Sequence, residues 1–223
     1  MKKTFLLSLL FAFALAENSH AQSSEVFKKS GYKLTFENQD TTFSKELKDK
    51  LVETFYEVYP KLAKEYNKKT SRNVTFVIDT TYDGVAATSD DRVVFSAKYM
   101  TSHPKDIDVV THEVMHIVQA YKESNGPGWL TEGIADYARF KFGVDNAGAK
   151  WALPAFKTSQ SYENSYRVTA RFLFWIEKNI KPGLVKDFDS QLRDHTFTDN
   201  SWKNATGKTL DELWSAYSAN PAV

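Results

Sequence analysis

Thr111-His112-Glu113-Val114-Met115-His116-Ile117-Val118-Gln119 is the stretch on which the reading of this chain turns. A helix advances about 3.6 residues per turn, so residues four apart stand one above the other on one face. His112 and His116 can therefore hold one metal ion from the same side. Glu113 lies beside them, able to reach a water on that ion without being a ligand. Histidine is scarce, five in 223 residues. The alternative, two unrelated surface histidines next to a glutamate, is weakened by the rest of the helix. Ile107, Val110, Val114, Ile117, Val118 and Tyr121, with Met115 beside them, supply apolar faces around much of it, which predicts burial on several sides. Buried imidazoles need polar partners, and a shared metal is the simplest.

A catalytic zinc takes three protein ligands and leaves one position for water. A third histidine six residues after the second is excluded, because that position is Lys122. His103 stands more than two turns from His112, too far along the axis to share an ion. His195 sits in a polar, charged loop and reads as a surface residue. Glu132 is the better third ligand. It lies beyond the turn signal Asn125-Gly126-Pro127-Gly128, so a helix opening at Trp129 and running to about Phe142 can pack back on the first. Asp136 falls one turn later on the same face. The two acids can divide the work, Glu132 on the metal and Asp136 accepting a hydrogen bond from the second nitrogen of a bound histidine. The competing reading makes Glu132 a favourable first-turn acid and Asp136 a solvated one. Both interrupt an otherwise apolar run, which argues against it.

Outward from this centre, Tyr32–Phe36 alternates with period two and predicts a half-buried strand. Phe43 to about Lys68 has helical spacing, with Pro60 expected to kink or split it. Val74–Ile78 is nearly all apolar, hence a central strand. Residues 80–91 read as a loop and Arg92–Tyr99 as a third strand. Ser102 to Asp106 carries start signals for the metal helix, with Ser102 as its cap. Further helices are expected over about 161–178, with Tyr166, Ala170, Leu173 and Phe174 facing inward, over 184–193, and over 210–217. Strands cluster in the first half and helices in the second, so the class is α+β. The expected organisation is one domain over 22–223, with a sheet lobe about 31–122 and a helical lobe about 129–218.

Composition narrows the function. The chain is 42% hydrophobic with a formal net charge of +1. It can bury a sizeable core, and no basic field points to nucleic acid or an anionic membrane. Cysteine is absent, which excludes disulfides, iron–sulfur clusters and thiolate zinc ligands. Residues 1–21 read as an export signal: Lys2 and Lys3, an apolar run Phe5–Ala16, and Ser19-His20-Ala21 at the cleavage position, with Ala14-Leu15-Ala16 as the competing site. The expected product is periplasmic or secreted, without an integral membrane segment. It carries 27 basic against 27 acidic residues. Patterning resumes at Gly31, which leaves no length for a folded pro-segment.

Three stretches carry a family resemblance: His112-Glu113-x-x-His116-x-x-Gln119, Trp129-Leu130-x-Glu132-Gly133-Ile134-Ala135-Asp136-Tyr137, and Tyr166-x-x-Thr169-Ala170-Arg171-Phe172-Leu173. Together with Gly207-Lys208-Thr209-Leu210-Asp211-Glu212-Leu213-Trp214, they resemble the basic secretory protein family of plants and bacteria, zinc metallopeptidases, over about residues 31–217. The Glu-x-x-x-Asp arrangement is similar to that of gluzincins. The resemblance implies a zincin-like fold, one Zn2+ on His112, His116 and Glu132, and peptide or protein substrates. This chain is neutral, so "basic" does not transfer. In the mechanism these residues suggest, Glu113 is the general base. Tyr166, or failing it Arg171, donates to the oxyanion. Gln119 is placed either behind His116 or on the surface, and Tyr166 could instead be core packing. If Arg92–Tyr99 were an edge strand, substrate could add to it. Two other classes fit the same residues: an exported zinc-binding protein without turnover, and a glycan- or protein-recognition module built on the aromatic residues.

Overall fold

Ser30 and Gly31, with φ of 52° and 79°, form a two-residue turn that sets Lys29 opposite Tyr32. In the computed structural model, which describes residues 23–122 and 126–223, this turn joins β1 (Ser23–Lys29) to β2 (Tyr32–Asn38). The expected export signal, and Asn125 of the expected turn, lie outside the described residues. β2 alternates as anticipated, burying Tyr32, Leu34 and Phe36. β1 was not anticipated. It is an edge strand exposed at nearly every position, so no buried face imposes an alternating pattern on its sequence.

After β2, Ser44 caps α1 (Lys45–Glu65) by accepting from the Leu47 N–H at 3.3 Å. Of the two outcomes expected at Pro60, a kink or a split, the split is overturned, because α1 runs through it as one element. Tyr59, Leu62 and Ala63 are buried around the proline, and tertiary packing on both sides compensates for the missing hydrogen bond. β3 (Asn73–Asp79) is central, as its apolar run predicted. The segment read as a loop contains β4 (Ala86–Ser89), which pairs antiparallel with β5 (Arg92–Ser96). The sheet order is β1-β2-β3-β5-β4, with parallel pairing of β2, β3 and β5 and antiparallel pairing at both edges. β5 is therefore not an edge. It also ends at Ser96, whose hydroxyl caps α2 (Ala97–Ser102). Ser102 closes that short helix and does not cap the next one.

α3 (Val109–Gln119), the HExxH helix, starts after Asp108. The Asp108 side chain is fully buried and accepts from Thr111 at 2.8 Å and from the Val144 and Asp145 N–H groups at 2.7 and 2.6 Å. The helix is buried at ten of its eleven positions, all but His116, in keeping with its all-round apolar composition. α4 (Gly128–Phe142) returns against it, followed by a 3-10 turn at Tyr162–Asn164 and by α5 (Tyr166–Asn179). α6 (Leu184–Arg193), an unanticipated α7 (Asn200–Thr206) and α8 (Leu210–Ala219) complete the fold. α7 is too short to show a period, yet it inserts Trp202 against Phe188 and Phe172. The class is α+β, with one continuous apolar core from Phe36 and Phe76 on the sheet through Val110, Val114 and Val118 to Leu173 and Phe188. Among the described residues no helix is long and apolar enough to cross a membrane.

Candidate metal centre

Helical spacing puts His112 and His116 on one face of α3, and their Nε2 atoms lie 3.2 Å apart. α4 brings Glu132 onto the same point, with Oε2 3.2 Å from His112 Nε2 and 3.6 Å from His116 Nε2. The three ligand atoms all lie within 4.8 Å of one another. Gly133 permits this approach of α4 to α5. A Cβ there would stand 2.2 Å from Thr169 Cγ2 and 2.6 Å from its Cβ.

The second nitrogens of both rings are engaged. His112 Nδ1 is 2.7 Å from Asp136 Oδ1, and Asp136 is buried. His116 Nδ1 is 2.7 Å from Gln119 Oε1, whose amide nitrogen donates to the Thr131 carbonyl at 2.9 Å. Gln119 is thus buried beneath the histidine and not on the surface. Asp136 and Gln119 Oε1 are acceptors, so each Nδ1 carries a proton and each Nε2 is the atom turned to the shared point. Two imidazole nitrogens and a carboxylate oxygen thus converge, a set of ligand atoms that one cation could satisfy together. Burial opposes charge on His112, but the Asp136 and Glu132 carboxylates outweigh it, and the imidazole is pushed up to about 10. Burial likewise opposes charge on Glu132, and the two histidines hold its carboxyl well below the usual range. The charges on His112 and Glu132 are thus each stabilised by neighbours of opposite sign.

Glu113 lies on the neighbouring flank of α3, also buried. Its Oε2 accepts from Thr88 Oγ1 on β4 at 2.7 Å. A cleft of about 960 Å³ opens over these groups, walled on one side by Val85–Thr88 and on the other by Trp151, Tyr166 and Arg167.

A family profile described as a peptidase of plants and bacteria matches residues 12–217. The chain belongs to this family. No curated protein matches it. Among solved structures it is similar to an aminopeptidase N family protein from Idiomarina loihiensis, at 11% identity over 91% of this chain and 45% of that one, with a TM-score of 0.45. An M1 zinc metallopeptidase from Deinococcus radiodurans matches at 11% identity over 91% of this chain and 48% of that one, with a TM-score of 0.40. The chain spans about half the length of these structures.

Two further residues flagged by the family resemblance are placed very differently. Tyr166 was grouped with the inward face of its helix, but it is 54% exposed. It opens α5 with φ of 46°, after Ser165 at 65°, a backbone that L side chains seldom adopt. That turn lays the ring over His112, with centroids 6.1 Å apart and planes at 24°. The charge on Glu132, then burial, raises the phenol, so the hydroxyl stays protonated near neutral pH. Arg171 does not reach the cleft. Its guanidinium donates to the Pro221 carbonyl at 3.1 Å and ties α5 to the C-terminal segment. One turn earlier on α5, Arg167 does line the cleft. Spacing alone could not distinguish these arginines. Thr88 was missed altogether, since nothing in Ala-Ala-Thr-Ser marks a strand that packs on α3.

Proposed function

We propose that this peptidase-family member is an exported zinc metallopeptidase with a zincin-like arrangement, in which sheet edge, HExxH helix and returning helix enclose one metal. The observation that carries this reading is the convergence of His112 Nε2, His116 Nε2 and Glu132 Oε2 within 4.8 Å of one another. These three residues would hold Zn2+, with Asp136 and Gln119 fixing the tautomers behind them. A zinc ion there would supply Lewis-acid polarisation of a water and of the scissile carbonyl. Glu113 would accept the water's proton and return it to the leaving amine, its Oε1 left free by the Thr88 bond to Oε2. Tyr166 is assigned the oxyanion donor, because it is a protonated phenol over the site. Arg171 is withdrawn from that role.

The substrate is a peptide or protein segment laid along the free edge of β4, which takes the place proposed for β5. Localisation outside the cytoplasm rests on residues 1–21 alone, and the single-domain organisation is supported by the continuous core. A glycan-binding role finds little support. Among the described residues the large exposed aromatics are Phe140 and Tyr166, which do not make a row of rings. The deciding measurement is metal content of the purified protein together with hydrolysis of an unfolded protein before and after chelation. One zinc per chain and chelator-sensitive cleavage are expected. Zinc without cleavage would leave the exported zinc-binding protein without turnover.

A further inference from the structure

We propose that Thr88 is the positioning residue for Glu113, and that through it the free sheet edge and the base are held as one unit. The inference rests on the peptidase reading above. Thr88 Oγ1 lies 2.7 Å from Glu113 Oε2 and 3.1 Å from the Glu113 carbonyl oxygen. A hydroxyl has one proton and a carboxylate only accepts, so the shorter contact is a donation to Oε2. Among the described residues no other side chain donates to that carboxylate. The bond fixes one oxygen and, with it, the direction in which the other faces the cleft.

The backbone of the same residue faces the other way. β4 pairs with β5 as Ala86↔Phe95, Ala87↔Val94, Thr88↔Val93 and Ser89↔Arg92. The Ser96 N–H donates to the Val85 carbonyl at 3.1 Å in the same register. Hydrogen-bonded and non-bonded pairs alternate along an antiparallel ladder. Val85, Ala87 and Ser89 therefore turn their backbone groups to β5, and Ala86 and Thr88 turn theirs to the outer edge, where the Ala86 carbonyl accepts from the Tyr82 hydroxyl at 3.2 Å. A peptide added to β4 would pair with the Thr88 backbone while the Thr88 side chain holds the base. Substrate chain and base are then registered against one residue, which favours a near-attack geometry.

The test compares Thr88→Val, which keeps shape and removes the donor, with Thr88→Ser, which keeps the donor. In zinc-loaded T88V, kcat should fall about tenfold with KM within about twofold. Bound zinc and Tm should stay as in the wild type, and T88S should recover most of kcat. In crystals of metal-free T88V the Glu113 carboxylate should leave its wild-type position. An unmoved carboxylate, an unchanged kcat in T88V, or equal losses in T88V and T88S would each overturn the proposal. A wild-type protein that cleaves no peptide would sink the peptidase reading instead. The crystallographic comparison would then still decide whether Thr88 holds Glu113.

Discussion

Two groups of buried charge meet helix α3, one at its middle and one at its C-terminal end, and they are built on opposite principles. At the middle, His112, His116 and Glu132 turn two imidazole nitrogens and a carboxylate oxygen to a common point in an open cleft. At the end, Asp189 is fully buried and neutralised from within. Tyr121 donates to its Oδ1 at 2.9 Å, and Arg193 Nη2 lies 2.8 Å from Oδ2. The same guanidinium donates to the Tyr66 carbonyl at 2.9 Å and to the Val118 and Gln119 carbonyls at 3.4 and 3.3 Å. It thereby serves the unpaired carbonyls that any helix leaves at its C-terminus. One cluster is sealed by its own partners, and the other opens on the cleft. The difference is one of access, and only the open cluster could take up a ligand.

Substitutions in the two clusters should therefore act on different observables. The largest effect is expected for Glu113→Ala, which should lower kcat by about two to four orders of magnitude while one zinc per chain is retained. Retained hydrolysis in that variant would remove Glu113 as base. Arg193→Met should leave Asp189 buried without its partner and cost on the order of 3–5 kcal/mol in unfolding free energy. Zinc content and kcat of the folded fraction should be unaltered. A loss of metal in this variant would erase the distinction between the clusters.

Next in size is a pH effect. Burial pushes the Asp189 carboxyl up to about 6, against the pull of Arg193 and Tyr121, from an ordinary value of 3.8. The folded protein thus binds this proton more tightly than the unfolded chain does. The resulting stabilisation is complete below pH of about 4 and is lost as pH rises through about 6, amounting to roughly 3 kcal/mol at about 1.4 kcal/mol per pKa unit. Denaturant unfolding of the wild type and Asp189→Asn across this window should show that slope in the wild type alone, and parallel curves would refute it. The smallest effect is expected for Asp136→Asn, which leaves the three ligands in place but weakens the hold on the His112 tautomer. Zinc affinity should fall about 10–100-fold, read by chelator competition.

The residues of the candidate metal site were legible because each lies in a helix whose period converts sequence distance into direction. His112 to His116 is one turn, and so is Glu132 to Asp136. The split offered at Pro60 did not occur, because local preference carries no knowledge of the packing that holds α1 together. β1 and β4 escaped notice because neither has a buried face long enough to leave an alternating pattern. Arg171 and Arg167 show the limit within a helix. The sequence places them one turn apart, but only the packing of α5 decides that one ties down the C-terminal segment and the other faces the cleft.

By itself the sequence determined the chemistry on offer: two imidazoles and the carboxylates of Glu113, Glu132 and Asp136 on two helices, no thiol, and a core-forming apolar share. Tertiary structure alone decided which groups meet across long separations. It put Thr88 on Glu113, Tyr166 over His112, and Arg193 against the end of α3. The reason is physical. Periodicity is a local property of the backbone, whereas contacts between elements depend on how all their buried faces fit together at once.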